Sequence, residues 1–307
     1  MTSNQNRPIP KPRLLIIGCG YIGHRVAMRA LSQQWEVHAV TRQRQSQLAS
    51  VGIQPILADI RSPWPKIDLP SFDYVLYAVG WDRLSGASFQ EIYLDGLQNV
   101  LAGFLPSQKS AKWIYVSSTS VYGDLSGEIV NEDTPTKPDE ENGKIVLAAE
   151  TKLRTSIPDS IILRHAGIYG PERIIRKKSI VAGEAIPANP DGYLNLIHAD
   201  DSADIILRAF AQIVPGSTYL VADGHPVTRR NFYEFMAKIL HAPPVQWSSK
   251  ITGEHRANRR IDNAKLINDL HLNLRYPNYQ LGLTQAVAEE KVAEEKVAFQ
   301  NINSLKS

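Results

Sequence analysis

Three glycines with fixed spacing are the first residues whose types suggest chemistry: Gly18-Cys19-Gly20-Tyr21-Ile22-Gly23, a GxGxxG string. Alone the pattern is weak. Here it follows the apolar run Leu14 to Ile17 and opens a helical stretch, Tyr21 to Ser32, which is the setting the phosphate-binding mechanism requires. In that setting Gly18 makes the tight turn, Gly20 lets the backbone approach a pyrophosphate, and Gly23 allows close packing of helix on strand. The helix N-terminus at Tyr21 and Ile22 then offers free amides and about half a positive charge to the phosphates. The plain alternative is an ordinary turn between strand and helix.

Sites selective for NAD place an acidic residue about 20 positions further on, where it accepts the ribose hydroxyls. From Val37 to Ala58 this chain has no Asp or Glu, and Arg42 and Arg44 stand just past the second apolar run. Guanidinium groups there can grip a 2′-phosphate. The cofactor expected is therefore NADP, with NAD possible; the alternative is a pair of solvated arginines in a polar loop.

The elements that must position these groups form an α/β pattern. Short β-branched runs at Leu14 to Ile17, Glu36 to Val40, Gln54 to Ala58, Tyr74 to Ala78, Lys112 to Ser117 and Ser160 to Arg164 alternate with amphipathic stretches. The expected fold is a doubly wound parallel sheet of the Rossmann type, with helices over Ser88 to Leu105 and about Lys144 to Ile157. The domain reading is a dinucleotide-binding core over 11–165 and a smaller C-terminal substrate-side lobe over 166–283. Residues 197–221 return to the core, through a strand at Asn195 to His198, a helix at Asp201 to Ala211 and a strand at Thr218 to Val221. The tail, 284–307, carries the pentapeptide Val-Ala-Glu-Glu-Lys twice, at 287–291 and 292–296. Five-residue spacing rotates Val287, Val292 and Val297 by roughly 140° per step, so they make no single stripe, and a solvated, frayed helical or disordered appendage is expected.

Composition narrows the classes. The 307 residues carry 34 basic and 31 acidic side chains for a net charge of +3, without the basic block of a nucleic-acid binder. Cys19 is the only cysteine, which excludes an internal disulfide and a thiolate-rich metal cluster and suits the cytoplasm; no metal is expected. Leu14 to Ile17 is too short for the core of a signal peptide, and no membrane span is expected.

Further along, the chain reads Ala58-Asp59, Ala78-Val79-Gly80, Ser117-Ser118-Thr119-Ser120-Val121-Tyr122-Gly123, Leu163-Arg164-His165-Ala166-Gly167-Ile168-Tyr169-Gly170-Pro171 and His198-Ala199-Asp200-Asp201. With the glycine loop, these landmarks resemble the extended short-chain dehydrogenase/reductase superfamily of NAD(P)-dependent epimerases and dehydratases over roughly 13–283. The resemblance implies that Asp59 and Ile60 flank the adenine, that Ala78, Val79 and Gly80 line the path to the nicotinamide ribose, and that Ser118 holds the catalytic Ser/Thr position. Asp59 capping a turn and Ser118 satisfying backbone at a strand end are the local alternatives. For His198 and Asp201, a helix start is the preferred reading over catalysis.

The resemblance breaks at one motif. Redox members of that superfamily carry YxxxK, and aligning their following Glu with Glu150 puts Asn142 at the Tyr position and Val146 at the Lys position. None of the twelve tyrosines has a lysine four residues later. A tyrosine becomes a general acid/base when a nearby cation lowers its pKa from about 10. The chain thus resembles the atypical members that keep the cofactor site and lose the standard tetrad. Ser118, Asp95 on the long helix and Tyr122 remain as candidates near the nicotinamide, while Lys144 belongs on the helix surface. The basic stretch Arg173 to Lys178 either meets a substrate phosphate or is a solvated loop. Two functions stay open: an NAD(P)-dependent oxidoreductase or epimerase-like enzyme acting on a small polar substrate, or a non-catalytic NADP-binding module that reports redox state. A homodimer through helices 88–105 and 144–157 is possible on the same resemblance.

Overall fold

A computed structural model describes residues 11–104, 110–123, 125–249 and 258–304. Apolar runs that cannot face water on either side demand a sheet covered on both faces. Strand β1 (Arg13–Ile17) is such a run, with Leu14 to Ile17 fully buried, and it feeds helix α1 (Tyr21–Ser32), whose Ile22, Val26, Ala27 and Ala30 share the inward face. The chain continues through β2 (Glu36–Thr41), α2 (Gln45–Ser50), β3 (Gln54–Leu57) and β4 (Tyr74–Tyr77). A π-helical turn, Glu91–Asp95, then runs into α3 (Gly96–Phe104). After it come β5 (Lys112–Ser118), β6 (Ile129–Val130), α4 (Glu141–Ser156) and β7 (Ile161–His165). The one helix expected over 88–105 is thus interrupted by a π turn, and residue 105 lies outside the described residues.

The remaining elements are β8 (Gly167–Tyr169), α5 (Lys177–Val181), β9 (Tyr193–Leu194), β10 (Leu196–His198), α6 (Ala199–Gln212), β11 (Thr218–Val221), β12 (Val227–Thr228), α7 (Arg229–Ile239), β13 (Arg260–Ile261), α8 (Ala264–Leu270) and α9 (Tyr279–Ser304). Seven strands make one parallel sheet in the order β11-β7-β5-β4-β1-β2-β3. Strand order reverses between β1 and β4. In open parallel sheets that switch point leaves a crevice outside the carboxyl ends of the strands.

One face of the sheet is covered by α1, α6 and α8, the other by α3 and α4. In segment 197–221, α6 packs against α1 and β11 forms the sheet edge. Helix α8 buries Leu266 and Leu270 in the same core with Ile197 and Tyr219. Helix α6 begins at Ala199 rather than Asp201: the His198 side chain accepts from the Asp200 amide, and Asp201 instead accepts from the amides of Arg275 and Tyr276. The lobe has its own core around Tyr169, Ile180, Phe232 and Met236.

Helix α9 corrects the reading of the tail. It starts at Tyr279, five residues before the expected tail, and its first turns are docked, with Leu283 and Ala286 fully buried in the lobe core. Gly282 lies so close to the Tyr169 hydroxyl that a Cβ there would collide with it. The docking face is Tyr279, Leu283, Ala286, Val287 and Glu290, at helical spacing; Val292 and Val297 are exposed, as their rotation requires. No described helix is long and apolar enough to cross a membrane.

Leu283→Ala is expected to cost about 2–5 kcal/mol in urea unfolding, the range for a truncated core leucine, whereas Val292→Ala changes stability by no more than about 0.5 kcal/mol.

Candidate functional site

The crevice is built by backbone proximity. At Gly18 the chain leaves β1 with φ +99°, and a Cβ there would stand 2.5 Å from the carbonyl carbon and oxygen of Ala78. A Cβ on Gly23 would strike the Gly18 carbonyl oxygen and meet Ile16 Cγ2 at 3.0 Å, so α1 sits hard on β1. Gly20 and Gly80 differ from these, since a Cβ on either would meet nothing within 4 Å. Two glycines are thus required by the protein itself, and two face open space across the crevice. The α1 N-terminus has no side-chain cap, so the amides at Tyr21 and Ile22 meet no capping oxygen there. A nicotinamide dinucleotide fits this cradle. Gly20, Tyr21 and Ile22 would hold its pyrophosphate, and Ala78, Val79 and Gly80 would run beside its nicotinamide ribose.

Arg44 reaches across to the glycine loop, where its guanidinium donates to the Cys19 carbonyl. The Thr41 hydroxyl sets its backbone, accepting from the Arg44 amide at 2.9 Å. Arg42 is exposed, and its charge is felt at Asp59. Cys19 is buried; burial pushes its thiol up to about 11, against the Arg44 charge. The Asp59 carboxylate holds the Arg61 side chain, with the closest contact at 2.5 Å, and accepts from the Arg61 amide. The Arg61 hydrogen bond keeps this acid below its ordinary value. Ile60 is positioned by α3: Asn99 donates to its carbonyl at 2.9 Å, and Gly96 leaves room for its side chain.

The chain matches the NAD dependent epimerase/dehydratase family over residues 14–222. It belongs to that family. Protein YeeZ of Escherichia coli (strain K12) is 28% identical over 275 residues, covering 87% of this chain and 97% of YeeZ. A functionally unknown conserved protein from Silicibacter pomeroyi DSS shares the fold with a TM-score of 0.73 and 28% identity, over 91% of this chain and 99% of that one. UDP-glucuronic acid 4-epimerase from Bacillus cereus, in complex with NAD, has a TM-score of 0.73 at 19% identity, over 92% of this chain and 99% of that one. The last likeness concerns the fold alone.

A buried ion pair joins β7 to α4. Arg164 on β7 forks onto Glu150 on α4, with the closest contact at 2.7 Å, and Ser117 donates to the same carboxylate at 2.5 Å. Arg164 also donates to the Tyr122 hydroxyl at 2.7 Å, and that hydroxyl donates to the Asn131 carbonyl. Burial lifts the Tyr122 phenol above its ordinary value, with Arg164 opposing. Tyr122 thus stands between Arg164 and the Asn131 carbonyl. Asn142 is exposed on the first turn of α4 and Val146 is buried, so neither can stand in for the family's Tyr and Lys. Lys144 is on the surface as expected, 3.4 Å from Glu141.

Ser118 is half-buried at the end of β5, where its Oγ accepts from the Ser120 amide at 3.1 Å while its proton is left for another acceptor. Asp95 closes the π turn, half-buried, and among the described residues no hydrogen bond or ion pair holds its carboxylate. Sequence reasoning missed the role of Arg164, although an arginine inside an otherwise apolar strand is a signal that a buried acid must face it.

Gly20→Ala is expected to cost about 1 kcal/mol of stability or less while weakening dinucleotide binding at least about tenfold; Gly18→Ala should instead lower the melting temperature. Cys19 in the folded protein should leave a thiol reagent at pH 8 unreacted, with full reaction after denaturation.

Proposed function

We propose that this chain is an NADP-binding enzyme of the epimerase/dehydratase family, an oxidoreductase or epimerase-like catalyst acting on a small polar substrate. The observation that carries the cofactor reading is the Arg44 guanidinium seated on the Cys19 carbonyl of the glycine loop, with Arg42 beside it and no acidic residue from Val37 to Ala58 to receive a free ribose hydroxyl. Two cations at this edge of the crevice favour a 2′-phosphate electrostatically and by guanidinium geometry. The bound dinucleotide supplies hydride chemistry; the chain supplies binding, orientation and a place for protons. Ser118 Oγ is the donor proposed to orient a substrate oxygen at the end of β5, and the Asp95 carboxylate is the proposed base. This pairing needs no YxxxK, since it asks for no lowered tyrosine pKa.

A second reading keeps the cofactor and drops the reaction. It is favoured by buried Val146 at the position of the family's Lys and by the commitment of Tyr122 to Arg164. Loss of general acid/base help removes about 10² to 10⁴ in rate.

Calorimetric titration is expected to give at least about tenfold tighter binding of NADPH than of NADH, a gap of about 1.4 kcal/mol, and Arg44→Ala should close it. Equal affinity in the wild type overturns the NADP assignment. Turnover of carbonyl compounds or nucleotide sugars that Ser118→Ala abolishes supports the enzyme; binding without turnover across that panel favours the module.

A further inference from the structure

Opposite the glycine loop stands a short segment, 170–177, that joins β8 to α5 and is tied at three points. Tyr21 donates its hydroxyl to the Pro171 carbonyl at 2.7 Å, so the first residue of α1 bonds a residue 150 positions away. The Arg173 amide bonds the Gly170 carbonyl at 3.0 Å. From the other side, Glu290 of α9 accepts from the Glu172 amide at 2.6 Å and from Lys177 Nζ at 2.5 Å. Between these ties, Glu172 and Arg176 both hold the left-handed backbone region, with φ of 66° and 58°. Non-glycine residues stay there when the surroundings over-determine them, and ligand clamps are a common setting.

The residue this arrangement presents is Arg173. Its guanidinium lies 5.5 Å from the centroid of the Tyr21 ring, on the segment facing the α1 N-terminus, while Arg25 stacks on the same ring at 3.9 Å. Arg25 is engaged with the Tyr21 carbonyl and Asp200. Arg173, by contrast, is exposed, and among the described residues no acceptor is hydrogen-bonded to its side chain. Its charge also acts on Tyr93, a phenol on the π turn that burial raises and the Trp81 amide and Arg173 lower. The cation therefore stands near both the glycine loop and the wall that carries Asp95.

We propose that Arg173 is a pyrophosphate-binding residue, closing on the dinucleotide from the side opposite the α1 amides, and that Glu290 positions it by holding the 172–177 segment from the C-terminal helix. Guanidinium groups suit this task because they pair two phosphate oxygens at once. The inference rests on the dinucleotide reading above and extends it to a residue outside the glycine loop.

The test uses the full chain and three probes: NADPH, NADH and 2′-AMP, the last of which carries the 2′-phosphate and adenine but no pyrophosphate. Arg173→Gln is expected to weaken both dinucleotides about tenfold, to leave 2′-AMP affinity unchanged, and to flatten the loss of NADPH affinity with rising salt. Arg173→Lys should recover part of the loss. Glu290→Gln should weaken the dinucleotides in the same direction, and the double variant should bind no more weakly than Arg173→Gln, since the two act as one unit. Unchanged dinucleotide affinity in Arg173→Gln overturns the proposal, as does an equal loss for 2′-AMP, which would mark a general disturbance of the site. Additive losses in the double variant overturn the role of Glu290. If wild-type protein binds no dinucleotide, the reading under the previous heading falls and takes this one with it; if it binds NADH as well as NADPH, only the 2′-phosphate preference falls.

Discussion

The rest of the structure depends on how closely two stretches of backbone approach at the switch point of the sheet. Residues 17–18 leaving β1 and residues 78–79 leaving β4 lie so near that Gly18 has no room for even one side-chain carbon. That contact fixes the floor of the crevice, and the missing Cβ atoms of Gly20 and Gly80 leave its walls open. Dispersion and hydrogen bonding set the floor. The opening carries amides at the α1 N-terminus that no side chain caps, and these favour negative charge.

Around that floor, charge is distributed asymmetrically. Cations arrive from three separate parts of the chain: Arg44 after β2, Arg25 from α1 and Arg173 from the substrate-side segment. Two acids near the glycine loop are engaged, Asp59 with Arg61 and Asp200 with Arg29, while the charge of Glu172 also reaches Tyr21.

Next to buried Val146, Ser117, Glu150, Arg164 and Tyr122 form one hydrogen-bonded network. Buried charges persist only when paired and hydrogen-bonded. Here each is, so breaking the pair by removing one partner would cost about 3–5 kcal/mol. Among the described residues, Ser118 and Asp95 take no part in that network.

Sequence alone determined the parallel sheet, the glycine loop and the arginine pair, because each depends on local pattern: continuous apolar runs, glycine spacing, and side-chain types just past a strand. It also showed that no tyrosine has the lysine partner it would need. What only the tertiary structure decided involves residues far apart in the chain. The first turns of α9 are docked because Gly282 fits against the Tyr169 hydroxyl and Glu290 meets the 172–177 segment, contacts more than 100 residues apart that no helical period predicts. Tyr122 is tied to Arg164, 42 positions later, which donates to its hydroxyl. Pattern within one element follows from the backbone's own period; which side chain meets which across elements follows from packing, which a single sequence does not spell out.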